Sequence, residues 1–91
     1  MLTIGIVKQR LAKLNSWVLD GDTIIREFIF NDFKLALKFV NKVGDLAEKH
    51  NHHPKIIIDY NIVLVSLTTH EERGLTSKDF ELAEDIDKIL S

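Results

Sequence analysis

Apolar and polar positions along this chain follow two periods, and the switches between them divide it into five pieces. Ile4, Val7, Leu11 and Leu14 recur at intervals of three and four between charged Lys8, Arg10 and Lys13, the spacing of an amphipathic helix over residues 4–14. Asn15 and Ser16 end it. Trp17-Val18-Leu19 and the run Thr23 to Phe30 flank Asp20-Gly21-Asp22; Asp-Gly supplies the positive φ of a tight turn, so this stretch predicts a hairpin. From Asp32 the helical period returns through Phe33, Ala36, Leu37, Val40, Val43 and Ala47. Asn31 or Asp32 is the expected N-cap and Asn51 a left-handed stop, for a helix of about five turns. Beyond Pro54, Ile56 to Tyr60 and Ile62 to Thr69 are β-branched runs with room between them only for a turn, hence a second hairpin. Thr76 then opens a last helix with the stripe Phe80, Leu82, Ala83, Ile86 and Ile89, and Thr76-x-x-Asp79 has the form of a capping box.

This order predicts an α+β fold, a four-stranded antiparallel sheet with three helices in the sequence α-β-β-α-β-β-α. No linker interrupts residues 1–91, so one domain is expected. The second hairpin is apolar on both faces, with Ile62 and Leu64 on one and Val63, Val65 and Leu67 on the other. Three helices do not cover both, and a chain this short has little core to spare, so a homodimer or homotetramer is expected.

Charge and composition remove several classes of function. Net charge is −2, and the twelve Lys and Arg are dispersed from Lys8 to Lys88 rather than gathered in a stripe, which argues against direct binding of nucleic acid. Met1 to Val7 is too short to span a membrane and lacks the basic flank of a secretory signal; no membrane partner and a cytoplasmic location are the expectation. Without cysteine there is no disulfide, thiolate metal site or thiol nucleophile. Any metal or proton chemistry falls to the four histidines.

Three of these lie together in Glu48-Lys49-His50-Asn51-His52-His53-Pro54, and the fourth is His70. A hairpin turning about Tyr60 to Ile62 places His70 across from Asn51, His52 or His53, so that three imidazoles gather at its open end. Pro54 forces His53 out of the helical region. In a regular strand His52 and His53 would face opposite sides, so a shared pocket requires a departure from ideal extension. His50, at a helix end, reads as a residue interacting with the last carbonyls or with solvent. For His52, His53 and His70, three readings stand: acid and base chemistry near neutrality, an open three-imidazole zinc site, which adjacent histidines suit poorly, and a structural role. Trp17 and Tyr60 read by themselves as half-buried aromatics, Asp79 as a cap and Glu48 as a solvated residue of the last helical turn.

Glu48-x-x-x-His52-His53-Pro54, Tyr60 six residues after the proline, His70 and Asp79 together resemble the signature of the pterin-4a-carbinolamine dehydratase family. Leu11-x-x-Leu14-x-x-Trp17, Phe28-x-Phe30-x-Asp32-Phe33, Ala47-Glu48-Lys49, Val63 to Thr69 and Gly74-Leu75-Thr76 extend the likeness over nearly the whole chain. The resemblance implies the same α-β-β-α-β-β-α fold and a metal-free hydro-lyase with no bound cofactor, acting on a 4a-hydroxytetrahydropterin. It also implies that His52, His53 and His70 are catalytic, with Glu48, Trp17 and Asp79 around the pocket. Asn51 departs from the Asp of animal members, which leaves hydrogen bonding but no carboxylate at that position. Animal members also act as dimerisation cofactors of a homeodomain transcription factor, so a non-catalytic interaction module is the alternative.

Overall fold

The computed structural model describes residues 1–90. Its elements are α1 (Ile4–Leu11), β1 (Val18–Asp20), β2 (Thr23–Ile29), α2 (Phe33–His50), β3 (Lys55–Asp59), β4 (Ile62–Leu67) and α3 (Ser77–Ile89), with a 3-10 turn at His70–Glu72. The strands form one antiparallel sheet in the order β1-β2-β4-β3, the α+β arrangement expected. The second hairpin therefore joins the first through β4, leaving β1 and β3 at the edges.

Helix α1 stops at Leu11, three residues short of the periodicity. Lys13 N and Leu14 N donate to carbonyls three residues back, at Arg10 and Leu11, and Ser16 takes φ 63°. The tighter turn ends the helix while still delivering Leu14 to the core, so the apolar pattern outruns the helical bonding. In the first hairpin Asp20 pairs with Thr23 around Gly21, whose φ of 63° suits a residue without Cβ. In the second, Asp59 pairs with Ile62, so Tyr60, at φ 51°, belongs to the turn and not to the strand.

Asp32 caps α2, its Oδ1 accepting from Leu35 N at 2.8 Å. The far end is a left-handed stop at Asn51, φ 50° and ψ 43°. There Asn51 N donates to Glu48 O and His52 N to Ala47 O, the paired bonds of a Schellman motif. One face of the sheet supplies Ile24, Phe28, Val63, Val65 and Leu67 to a core shared with Ala36, Phe39 and Val43 of α2 and Phe80, Ala83 and Ile86 of α3. Alternate positions on the other face stay open: Val18, Ile29 and Ile57 are exposed, and Ile25, Ile62 and Leu64 half-buried.

Candidate active site

The Schellman stop and Pro54 decide where two adjacent imidazoles go. The stop folds the chain back over the last turn of α2, and the proline keeps His53 extended, so the two side chains leave on opposite sides. His52 turns inward with a side chain only 9% exposed, whereas that of His53 is 59% exposed.

The inward ring is held by Asp79, which is fully buried at the start of α3. His52 Nε2 lies 2.5 Å from Asp79 Oδ1; an ionised carboxylate only accepts, so this nitrogen carries the proton. The other oxygen, Oδ2, accepts from Thr76 N at 2.9 Å and from the Thr69 hydroxyl at 2.8 Å. The bond from Thr76 N is one arm of the capping box between Thr76 and Asp79 at this helix start, and the Thr76 hydroxyl also accepts from Lys78 N. Three donors thus converge on this one buried carboxylate, His52 on one oxygen and Thr69 and Thr76 on the other.

The outward ring meets Glu48, whose Oε2 lies 2.5 Å from His53 Nε2. His53 also lines a cleft of about 230 Å³ together with Thr23, Lys55, Ser66, Thr68 and His70. Strand register explains this set. Lys55 pairs with Ser66 and Ile24 with Leu67, so two residues beyond the first pair and one beyond the second His53, Thr68 and Thr23 fall in a row across the open face. Thr68 Oγ1 donates to Asp22 O at 2.7 Å, fastening the first turn to this end of the sheet. His70 closes the cleft from the 3-10 turn, exposed and without a hydrogen bond to its ring among the described residues.

The expected gathering of three imidazoles is thus corrected. His53 and His70 share the cleft, while His52 lies under the sheet with Asp79, because adjacent residues of an extended segment alternate faces. Strand β4 also ends at Leu67, so His70 reaches His53 through the turn and not as a ladder partner. Among the described residues no three His, Asp or Glu side chains are placed to hold a metal ion. Asn51 acts through its backbone as the helix stop. Trp17 is not at the cleft: it is buried against Phe28, and its Nε1 donates to Asp87 Oδ1 at 2.8 Å. Arg26 Nη1 donates to the same oxygen at 2.7 Å. His50 is a helix-end residue paired with Asp85 of α3 at 2.8 Å. Thr23, Lys55, Ser66, Thr68 and Thr69 went unnoticed in the sequence; the hairpin register, carried to the outer face, would have pointed to the first four.

Fold and site together define a small α+β protein with paired carboxylate–histidine contacts on either side of a sheet edge. The family model described as pterin 4 alpha carbinolamine dehydratase matches residues 2–89, and the chain belongs to that family. It is 46% identical to a Sulfurisphaera tokodaii protein provisionally named pterin-4-alpha-carbinolamine dehydratase, over 99% of this chain and 97% of that one. An Acidobacterium capsulatum relative with the same provisional name is 45% identical over 98% of this chain and 97% of its own. Among solved structures, a transcriptional coactivator/pterin dehydratase from Brucella melitensis superposes with a TM-score of 0.94 at 37% identity, covering 99% and 98% of the two chains. A pterin dehydratase-like RuBisCO assembly factor of the alpha-carboxysome shares the fold at 19% identity, with a TM-score of 0.70 over 82% and 89%.

Proposed function

We propose that the cleft between His53 and His70 dehydrates 4a-hydroxytetrahydrobiopterin, the pterin-4a-carbinolamine, to quinonoid dihydropterin, in the recycling of tetrahydrobiopterin. The observation that carries this reading is two imidazoles opening on one cleft, one braced by a carboxylate and the other free. The reaction needs a proton delivered to the 4a-oxygen as the C4a–O bond breaks and a proton removed from N5 as the C4a–N5 double bond forms. Water leaves, and no electrons are gained or lost. An acid and a base on different sides of one bond suffice, with no metal or bound cofactor.

His53 and His70 divide these roles. Glu48 stabilises the imidazolium that forms when His53 takes a proton, as a carboxylate behind a catalytic histidine does, so His53 is assigned the N5 proton and His70 the departing hydroxyl. His52 and Asp79 support the wall of the site from within.

The test is a dehydration assay on freshly prepared 4a-hydroxytetrahydropterin with His52, His53 and His70 changed singly to Ala. Loss of about 100-fold or more is expected for His53→Ala and His70→Ala; rates near that of the parent in both variants would end this mechanism. Full activity in the presence of a chelator would remove the zinc alternative. The non-catalytic reading is favoured by the exposed apolar positions of the outer sheet face and by the coactivator description of the Brucella melitensis relative. An inactive parent protein in the same assay would leave that reading standing.

A further inference from the structure

Thr69 occupies the point where the two halves of the site meet, although as one more β-branched residue at the end of a strand run it draws no notice in the sequence. It is 2% exposed and directly precedes His70. Its backbone closes the loop that carries His70: Thr69 N donates to Gly74 O at 3.1 Å, and Thr69 O accepts from Gly74 N at 3.3 Å and Glu72 N at 3.1 Å. Its hydroxyl faces the opposite element, 2.8 Å from Asp79 Oδ2 and 2.8 Å from Thr76 Oγ1.

The direction of these bonds follows from counting hydrogens. A threonine hydroxyl has one, and the carboxylate only accepts. Thr69 therefore donates to Asp79 and receives from Thr76, while the second oxygen of Asp79 takes the Nε2 proton of His52. The chain Thr76, Thr69, Asp79, His52 is thus ordered from one end to the other. Valine has the same shape and an equal preference for extended backbone. Packing and propensity would be served as well by Val; the hydroxyl is accounted for only by this network.

We infer that Thr69 is a positioning residue for the dehydration, setting the orientation of the Asp79 carboxylate and hence of the His52 ring while anchoring the loop that presents His70. The inference rests on the reading of the cleft given above. Without the hydroxyl, Asp79 loses one of three donors, and the loop end loses its tie to α3. Displacement of a catalytic group by a fraction of an ångström lowers the rate of the chemical step more than the binding of substrate.

The experiment compares Thr69→Val and Thr69→Ser with the parent, reading kcat and KM for dehydration across pH and the ¹⁵N shifts of the histidine rings. Thr69→Val should lower kcat about tenfold or more with KM within about twofold, and should move the His52 ring signals. Thr69→Ser, which keeps the hydroxyl, should restore both. In the parent protein the Thr69 hydroxyl proton should give a signal protected from exchange, a measurement that stands even where Thr69→Val does not fold. A Thr69→Val protein with parental kcat and unmoved His52 signals overturns the inference, as does an unprotected hydroxyl. An active parent confirms the ground on which the kinetic arm stands; an inactive parent overturns the cleft reading and with it the assignment of Thr69.

Discussion

His52 and His53 share a peptide bond and little else: one ring lies against a fully buried carboxylate, the other in solvent against an exposed one. Their environments are set by Asn51, whose φ of 50° most residues reach only at a cost. Asn51→Gly should retain the stop at no loss of stability, whereas Asn51→Val should lower it by about 1–2 kcal/mol, measured by urea unfolding. Glu48→Gln should leave the melting temperature unchanged, because Glu48 is 78% exposed, and lower kcat by about tenfold. A parental kcat in that variant would detach Glu48 from the mechanism. The residues of this site were legible to different degrees. Pro54 and the adjacent histidines announce an extended entry to a strand with alternating sides, yet spacing alone does not say which side is covered. That depends on where α3 packs, and its Asp79 is 27 positions from His52 in the chain. Thr69 left no trace because its backbone preference hides the use of its hydroxyl.

Polar contacts outside the site join the elements as well as the core does. Asp87 of α3 accepts from Trp17, Arg26 and the Asn15 amide, and the Arg26 guanidinium also stacks on Phe28 at 4.5 Å. Asp87→Ala leaves a largely buried guanidinium unpaired and should cost about 3 kcal/mol, read from denaturation followed by the fluorescence of Trp17, the single tryptophan. A second contact joins α2 to α3. The hydrogen bond from His50 holds the Asp85 carboxyl below its ordinary value of 3.8; partial burial opposes this, and the charges of His50 and Lys88 reinforce it. A depressed acid stabilises the fold above its unfolded value and loses that contribution as the pH falls through the folded one. The unfolding midpoints of the parent and Asp85→Asn should therefore differ at neutral pH and converge on acidification below the carboxylate range. Hairpins, helix stripes and the caps of α2 and α3 were legible in the sequence, since each depends on neighbours within a few positions. The early end of α1 was not, because Leu14 keeps the helical period while its amide bonds three residues back, nor was the clasp on Asp87, since Asn15 and Asp87 are 72 positions apart.

At the scale of the molecule, the sheet divides a covered interior from an open face on which Val18, Ile29 and Ile57 remain exposed. Burial of such positions against a second copy would add apolar area that a chain of 91 residues cannot supply alone. Light scattering of the purified protein should give a mass two or four times 10.5 kDa; a monomer at micromolar concentration would show that the open face needs no cover. The sheet also gives the segment between Asn51 and Pro54 a phase as well as a length. A residue inserted between His53 and Pro54 would exchange the faces to which the two histidines point, placing His52 outside and His53 under α3, while an insertion of two would restore the original sense. Length changes at this junction are thus tolerable only in even steps, and a shift of a single codon there would invert the site without altering any of its residues.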